Sequence, residues 1–497
     1  MEEEHLSPEF RKFVQGFHRV IKENNKEYIK TFYEGAWHKN TDKFKAAQND
    51  LPTAERISSL VENDVLFLHL YRELYFRHHY SHFGQQMSIE KRFASWENYN
   101  GLFDFFLSKP KPVVLDLPLQ WIWDIIDEFL YQYQEFCQYR IKGDRSPAEI
   151  QKLKESPKVW NTVSVIKVLH RLISLSDIKK TLEREKSGSG ADSSNPFATN
   201  PTYSNFGLFG IIGLCRLHCI LGDYYLALKT VDPIDMSSKK VNYTTKLTAA
   251  HISLFYYTGF AYMMTRRYQD AIKTFCSVLL FCSRQHHTRQ YDQKKSDQMY
   301  SLLAILLHFC PRRIDEHISN NLKQDHADKI LSIQSRENED TRGADNFSYG
   351  CPKFVTPSIP NFDDDIPAPN ATAVQKKLFM KEINQCAPLP TIGSYLKLYT
   401  TISAANLISL LDQKHDKDTL KMFLARYVHK DFQLQCAPGQ SPSQGTRTPA
   451  SDVTFSVEGD VIQVGDNKIT RNYAEVFINH CTILEDIRHD LEKQAKK

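Results

Sequence analysis

The sequence predicts a mainly α-helical protein. An aromatic-rich helical domain comes first, then a right-handed array of stacked helix pairs, then three helices with a β-hairpin, and last a terminal helix. Three observations predict this. Leu221-Gly222-Asp223-Tyr224-Tyr225-Leu226-Ala227-Leu228 and Arg266-Arg267-Tyr268-Gln269-Asp270-Ala271-Ile272 are copies of one signature, with Tyr224 and Tyr268 44 residues apart. That is the period of stacked helix pairs. Glycine numbers 19 in 497 residues, well below the usual ~7%, which disfavours turn-rich β architecture. Near the end, Val453, Phe455 and Val457 alternate with Thr454 and Ser456, Gly459-Asp460 turns the chain, and Val461-Ile462-Gln463-Val464 returns, the pattern of a hairpin.

The first domain is read as residues 1–142. Ser7-Pro8-Glu9 starts a helix, with a capping hydroxyl, Pro at the first helical position and an acid that suits the helix dipole. Phe10, Phe13, Val14, Phe17, Val20 and Ile21 follow at helical spacing. Pro52-Thr53 opens a second long helix through Ile57, Leu60, Val61, Val65, Leu68, Tyr71 and Tyr75. A third runs about 88–107, and Lys109-Pro110-Lys111-Pro112 stops it; a fourth carries Trp121, Ile125, Phe129 and Phe136 to about Arg140.

Helical repeats are expected over 155–374, opening with one helix over about 159–182. Residues 187–201 are rich in Gly, Ser, Asn and Pro and read as a mobile loop. In the repeats, close approach of antiparallel helices needs small residues facing large ones. Gly222, Ala227, Gly259 and Ala271 are the small positions, and Tyr224, Tyr262, Tyr268 and Phe275 the large. Residues 334–370 are polar and then proline-rich, so this segment is extended; it packs along the array because Phe354, Val355, Ile359 and Phe362 need cover.

The character changes from Thr391. Helices of about 391–400, 403–412 and 416–430 precede the hairpin, which makes 375–470 a winged helix. Residues 471–497 supply an amphipathic helix with Tyr473, Phe477 and Leu484, then a fraying tail.

Composition excludes several function classes. Lys and Arg total 63 against 59 Asp and Glu, so there is no strongly basic nucleic-acid tail. The ten cysteines include no Cys-x-x-Cys pair, which suits reduced thiols in a cytoplasmic protein. Met-Glu-Glu-Glu is not the start of a secretory signal. The apolar stretch 207–221 contains Arg216 and His218 and is short for a bilayer, so no membrane contact is expected.

His78 and His82 share a helix face, but two imidazoles without a third ligand read as a polar helix end. Cys215, His218 and Cys219 read as core, and Asp363-Asp364-Asp365 as a solvated turn without the spaced oxygens of a calcium loop. No phosphate-binding glycine loop and no nucleophile elbow occurs. The expectation is a protein with no catalytic, cofactor-binding or metal site.

A helical array running into a winged helix and a final helix resembles the PCI-domain family, with the PCI module at about 250–465. Within it the chain is similar to the L subunits of eukaryotic translation initiation factor 3. Leu221–Lys229, Gly259–Ile272, Phe347–Asn361 (FSYGCPKFVTPSIPN), Leu396–Thr400 and Trp121–Tyr139 carry the likeness. It covers about Pro8 to Leu491 and is weakest at 180–205 and 432–452, where the chain has its own Ser/Gly/Pro-rich inserts, 187–201 and 437–450.

The resemblance implies a non-catalytic scaffold that assembles with other subunits of factor 3, notably the K subunit. Through the complex it implies contact with the small ribosomal subunit and support of mRNA recruitment, direct rRNA or mRNA contact being weak at most. From the residues, partner binding is expected at the strand Val453, Phe455 and Val457, by pairing with a neighbour's sheet. The helix of Tyr473, Phe477 and Leu484 is expected in a bundle with partner helices. The alternatives are a PCI subunit of the proteasome lid or COP9 signalosome, and a winged-helix nucleic-acid regulator.

Overall fold

The computed structural model describes residues 7–46, 50–141, 145–187, 195–236, 246–284, 290–334, 343–362, 370–411, 416–437, 439–451, 453–466 and 473–495. They are mainly helical and divide into two compact units. One comprises residues 1–383 with 434–447, the other 384–433 with 448–497.

In the first unit the Pro8–Lys22 helix begins where Ser7 accepts the Phe10 N–H. Three short helical segments between Lys26 and Ala46 follow, where the apolar spacing is too irregular for a sequence pattern. The long helix expected from Pro52 is two pieces. Ala54–Ile57 and the tight turn Ser58–Val61 end at Glu62 and Asn63, both left-handed at φ 54° and 55°. Asp64 then starts Val65–Phe83 by accepting the N–H groups of Leu66 and Phe67. A capping carboxylate outranks apolar spacing that happens to continue across the break. Ile89–Leu107 and Leu119–Ile141 complete this part. Trp121 is fully buried between Tyr33 and Phe17, whose ring centres lie 4.8 and 5.6 Å away. Its indole N–H is satisfied by the buried Glu73 carboxylate at 3.1 Å, and Arg77 neutralises that carboxylate.

The helix expected at 159–182 is likewise divided, into Thr162–Leu175 and Ile178–Ser187, with Asp177 left-handed at φ 51° between them. Residues 188–194 lie outside the described residues. Within the expected loop, Asn195 caps a helical turn at Pro196–Thr199 and Phe197 is buried. The Pro201–Leu221 helix is longer than its apolar stretch suggested. At 21 residues it could cross a bilayer by length and composition, but 78% of its apolar window is buried inside the protein. It packs against Leu119–Ile141, Thr162–Leu175, Tyr224–Val231 and Thr248–Met264. Tyr268–Arg284 and Gln290–Phe309 extend the stack, followed by Glu316–Gln324 and Ala327–Gln334.

The proline-rich segment follows a short helix at Ala344–Gly350. Phe354 and Val355 are buried as expected, and the Val355 N–H bonds the carbonyl of Ile220 at 3.0 Å. Tyr256 donates to the Gly350 carbonyl at 2.6 Å. Phe362 packs on the core, whereas Ile359 is exposed. Cover thus reaches Phe354, Val355 and Phe362 but not Ile359.

The second unit contains helices Leu389–Leu396, Ala404–Leu410 and Lys417–Asp431. It also holds a three-stranded sheet of β1 (Thr401–Ser403), β4 (Val453–Glu458) and β5 (Val461–Asp466). The order is β1-β5-β4 and both pairings are antiparallel, with Ile402 opposite Ile462 and Phe455 opposite Val464. Ile392, Leu396, Leu407, Leu420, Leu424 and Ile462 form its core. Strands β2 (Phe432–Gln435) and β3 (Thr446–Pro449) pair separately. Three residues are too few for a sequence signal, so β1 was not foreseen. The terminal helix spans Tyr473–Ala495, past the expected fraying point.

Candidate functional site

Of the small and large repeat positions, one pair is seen in close contact. Gly259 and Phe275 are in contact: a Cβ at 259 would lie 2.6 Å from the Phe275 Cε1 atom. Ala227, Ala271 and Phe275 have no exposed surface, and Tyr262 is buried. Gly222 ends its helix left-handed at φ 86°, closing the Asp223 N–H onto the His218 carbonyl.

The two repeat turns share one further partner. Tyr224 donates to the Gln375 Oε1 atom at 2.8 Å and Tyr268 to the Glu382 Oε1 atom at 3.2 Å. Arg266 lies 3.8 Å from the same Glu382 carboxylate. Both acceptors belong to the Ala371–Cys386 helix, and residues seven apart share a helix face. Signatures 44 residues apart are thus tied by one helix that the sequence reading did not assign. Its only signal was the run of helix formers after Pro369.

A second cluster was also missed. Arg267 and Asp270 are both more than nine-tenths buried and paired at 2.9 Å. Arg267 donates to the carbonyls of Pro442 and Gln444 at 2.7 and 2.8 Å, and Asp270 accepts the Cys436 N–H at 3.0 Å. Asp232, at the end of the Tyr224–Val231 helix, accepts the Ser443 N–H at 2.8 Å and its hydroxyl. The sequence pairs Arg267 with Asp270 at i,i+3, but nothing local announces residues 166 to 211 positions away.

In the second unit β4 is an edge strand. Val453 is buried and Phe455 packs on the core against Tyr427, at 5.7 Å between ring centres, so of the three expected contact residues only Val457 is exposed. On the terminal helix Phe477 and Leu484 are 67% and 64% exposed, and Ile483, Ile487 and Leu491 are also at least half exposed. The Tyr473 side chain lies outside the described residues.

The imidazoles of His78 and His82 lie 4.1 Å apart, and the His82 Nδ1 atom is 3.0 Å from the His78 carbonyl. Cys215 and Cys219 are fully buried; the Cys219 thiol donates to the Tyr257 carbonyl, and burial pushes its pKa well up. Among the described residues no group of three His, Cys, Asp or Glu side chains is placed to hold a metal ion. Asp363-Asp364-Asp365 lies outside them.

A family model described as RNA polymerase I-associated factor PAF67 matches residues 91–483. Proteins named eukaryotic translation initiation factor 3 subunit L are similar throughout. The Nematostella vectensis protein is 39% identical over 97% of this chain and 93% of its own length. For Danio rerio the figures are 38%, 98% and 89%, and for Homo sapiens 39%, 94% and 83%. With likeness at this level across nearly the whole chain, the protein belongs to the family of eukaryotic translation initiation factor 3 L subunits.

Proposed function

We propose that this chain is a non-catalytic, cytoplasmic scaffold subunit of translation initiation factor 3. It assembles with other subunits, the K subunit among them, and through the complex supports small-ribosomal-subunit binding and mRNA recruitment. The second unit is a winged helix, so that the chain as a whole is a PCI scaffold.

The observation that carries this reading is the terminal helix. Its apolar residues Phe477, Ile483, Leu484, Ile487 and Leu491, which share one helix face, are all at least half exposed. Such a face is costly in water and suits a bundle with partner helices. Among the described residues no strand lies beyond β4, which supports the same reading, since an edge strand offers backbone groups to a neighbouring one.

Protein contact is preferred to a nucleic-acid groove because three of the cations of Lys417–Asp431 are engaged locally. Lys417 bonds Asp460 at 2.6 Å, Lys421 lies 3.8 Å from Asp418, and Arg426 sits over Phe423 at 5.8 Å. A groove reader needs an unopposed basic face.

The test is co-purification of tagged full-length protein from cytoplasmic extract, followed by a sucrose gradient. The wild type should carry factor 3 subunits and run with small ribosomal subunits. Phe477→Asp with Leu484→Asp should lose partner subunits, and Val457→Lys should weaken them, at unchanged helical content. Undiminished recovery of partners with all these variants would refute the assembly surfaces. Migration with proteasome-lid or signalosome subunits would refute the complex.

A further inference from the structure

Residues 434–447 leave the second unit and pack with the first. The segment is held almost wholly by polar contacts. Arg267 takes the carbonyls of residues 442 and 444, Asp270 the N–H of 436, and Asp232 the N–H and hydroxyl of 443. Only the last of these involves a side chain of the segment. Pro442 is its buried residue, while Gln440, Gln444 and Thr446 face solvent.

The receiving side, by contrast, is built. Arg267 is fixed by Asp270 and by the Tyr262 ring, 4.6 Å from its guanidinium carbon. Asp232 has its own carbonyl tied to Lys186 at 2.7 Å. A rigid, charged receptor facing a segment of glycine, serine and glutamine is the asymmetry of a binding site and its ligand.

We infer that Asp232, Arg267 and Asp270 form a peptide-recognition site. It is filled in cis by the chain's own segment, and a partner polypeptide presenting the same Pro-Ser-x-Gly turn, closed here by the Gln444 N–H on the Ser441 carbonyl at 2.9 Å, can occupy it in exchange. Each element of that motif has a cause. Proline fills the buried position, and serine supplies the hydroxyl for Asp232. Glycine is favoured because a Cβ at 445 would come within 3.2 Å of the Gln435 carbonyl oxygen and 3.3 Å of the Arg267 Nη2 atom, a tight fit. The residue between serine and glycine is read only through its carbonyl. Exchange is feasible because few apolar contacts resist local opening of the segment. An element that crosses to another unit is also the kind that polypeptides swap.

The tethered segment competes at an effective concentration in the millimolar range. An added peptide should therefore bind a chain lacking the segment about tenfold or more tighter than it binds the wild type. The experiment uses the full chain with Gln440–Gly445 replaced by two glycines, and a labelled synthetic peptide of residues 439–449 followed by fluorescence anisotropy. Saturable binding to that variant, at least tenfold weaker binding to wild type, and a tenfold loss with the Ser443→Ala peptide are expected. The Gly445→Val peptide should bind more weakly than the unchanged one. These peptide variants leave the protein's fold untouched. Binding that is absent, equal for both chains, or indifferent to the peptide changes would overturn the proposal. A dimer of the wild-type chain in sedimentation, lost when the segment is replaced, would assign the site to self-association instead.

Discussion

Gly259→Val tests the helix contact on which the array depends. The Cβ alone would lie 2.6 Å from the Phe275 Cε1 atom and 3.0 Å from Cδ1 and Cζ, where carbon atoms sit at about 3.5–4.0 Å. The ring must retreat by roughly an ångström, and it has no exposed surface into which to move. Overpacking of this kind costs up to about 3 kcal/mol. Replacing glycine by valine inside a helix returns only about 0.4 kcal/mol. The net loss of up to about 2.5 kcal/mol corresponds to an open population up to roughly sixtyfold larger.

Hydrogen exchange read by mass spectrometry on peptides from Thr248–Met264 and Tyr268–Arg284 measures this locally, which matters in a chain with two compact units. Phe275→Leu, itself destabilising, should relieve the clash, so the double variant should fall short of the summed losses by at least about 1 kcal/mol. Additive effects, or unchanged exchange with Gly259→Val, would show that the two residues do not carry the contact.

Two further outcomes follow from burial. His251 lies between Phe255 and Phe281, with ring centres at 4.5 and 4.4 Å, and burial pushes its pKa down to about 4. Between the ordinary value of ~6.5 and 4 the unfolded chain binds a proton that the folded chain refuses, so stability falls as pH falls through that window. Urea midpoints at pH 7.5 and 5 should differ less for His251→Phe than for wild type; an equal difference would remove His251 as a cause. Alkylation of the native protein should label the exposed Cys481 first. Cys137 and Cys351, each pushed up to about 11 by burial, should react only after unfolding. Equal labelling of all three would contradict the packing described.

The sequence by itself determined the features that depend on residues close together. The helix start at Ser7-Pro8, the hairpin turning at Gly459-Asp460, and the facing of Gly259 by Phe275 all follow from caps, turn residues and spacing within about twenty positions. Local rules misled where apolar spacing continued across a break. Asp64 and Asp177 interrupt helices that read as continuous, because the pattern records only which residues are apolar.

Tertiary structure alone decided which surfaces are spent and which remain. Phe455 and Val457 share a sequence pattern, yet Phe455 is taken by the second unit's core and Val457 is left exposed. One helix reads both repeat turns through Gln375 and Glu382, and Arg267 is matched by carbonyls about 175 residues further on. Apolar patterning fixes the face a residue shows to its own element. A hydrogen bond across the chain depends on where two backbones come to rest, and no local spacing encodes that.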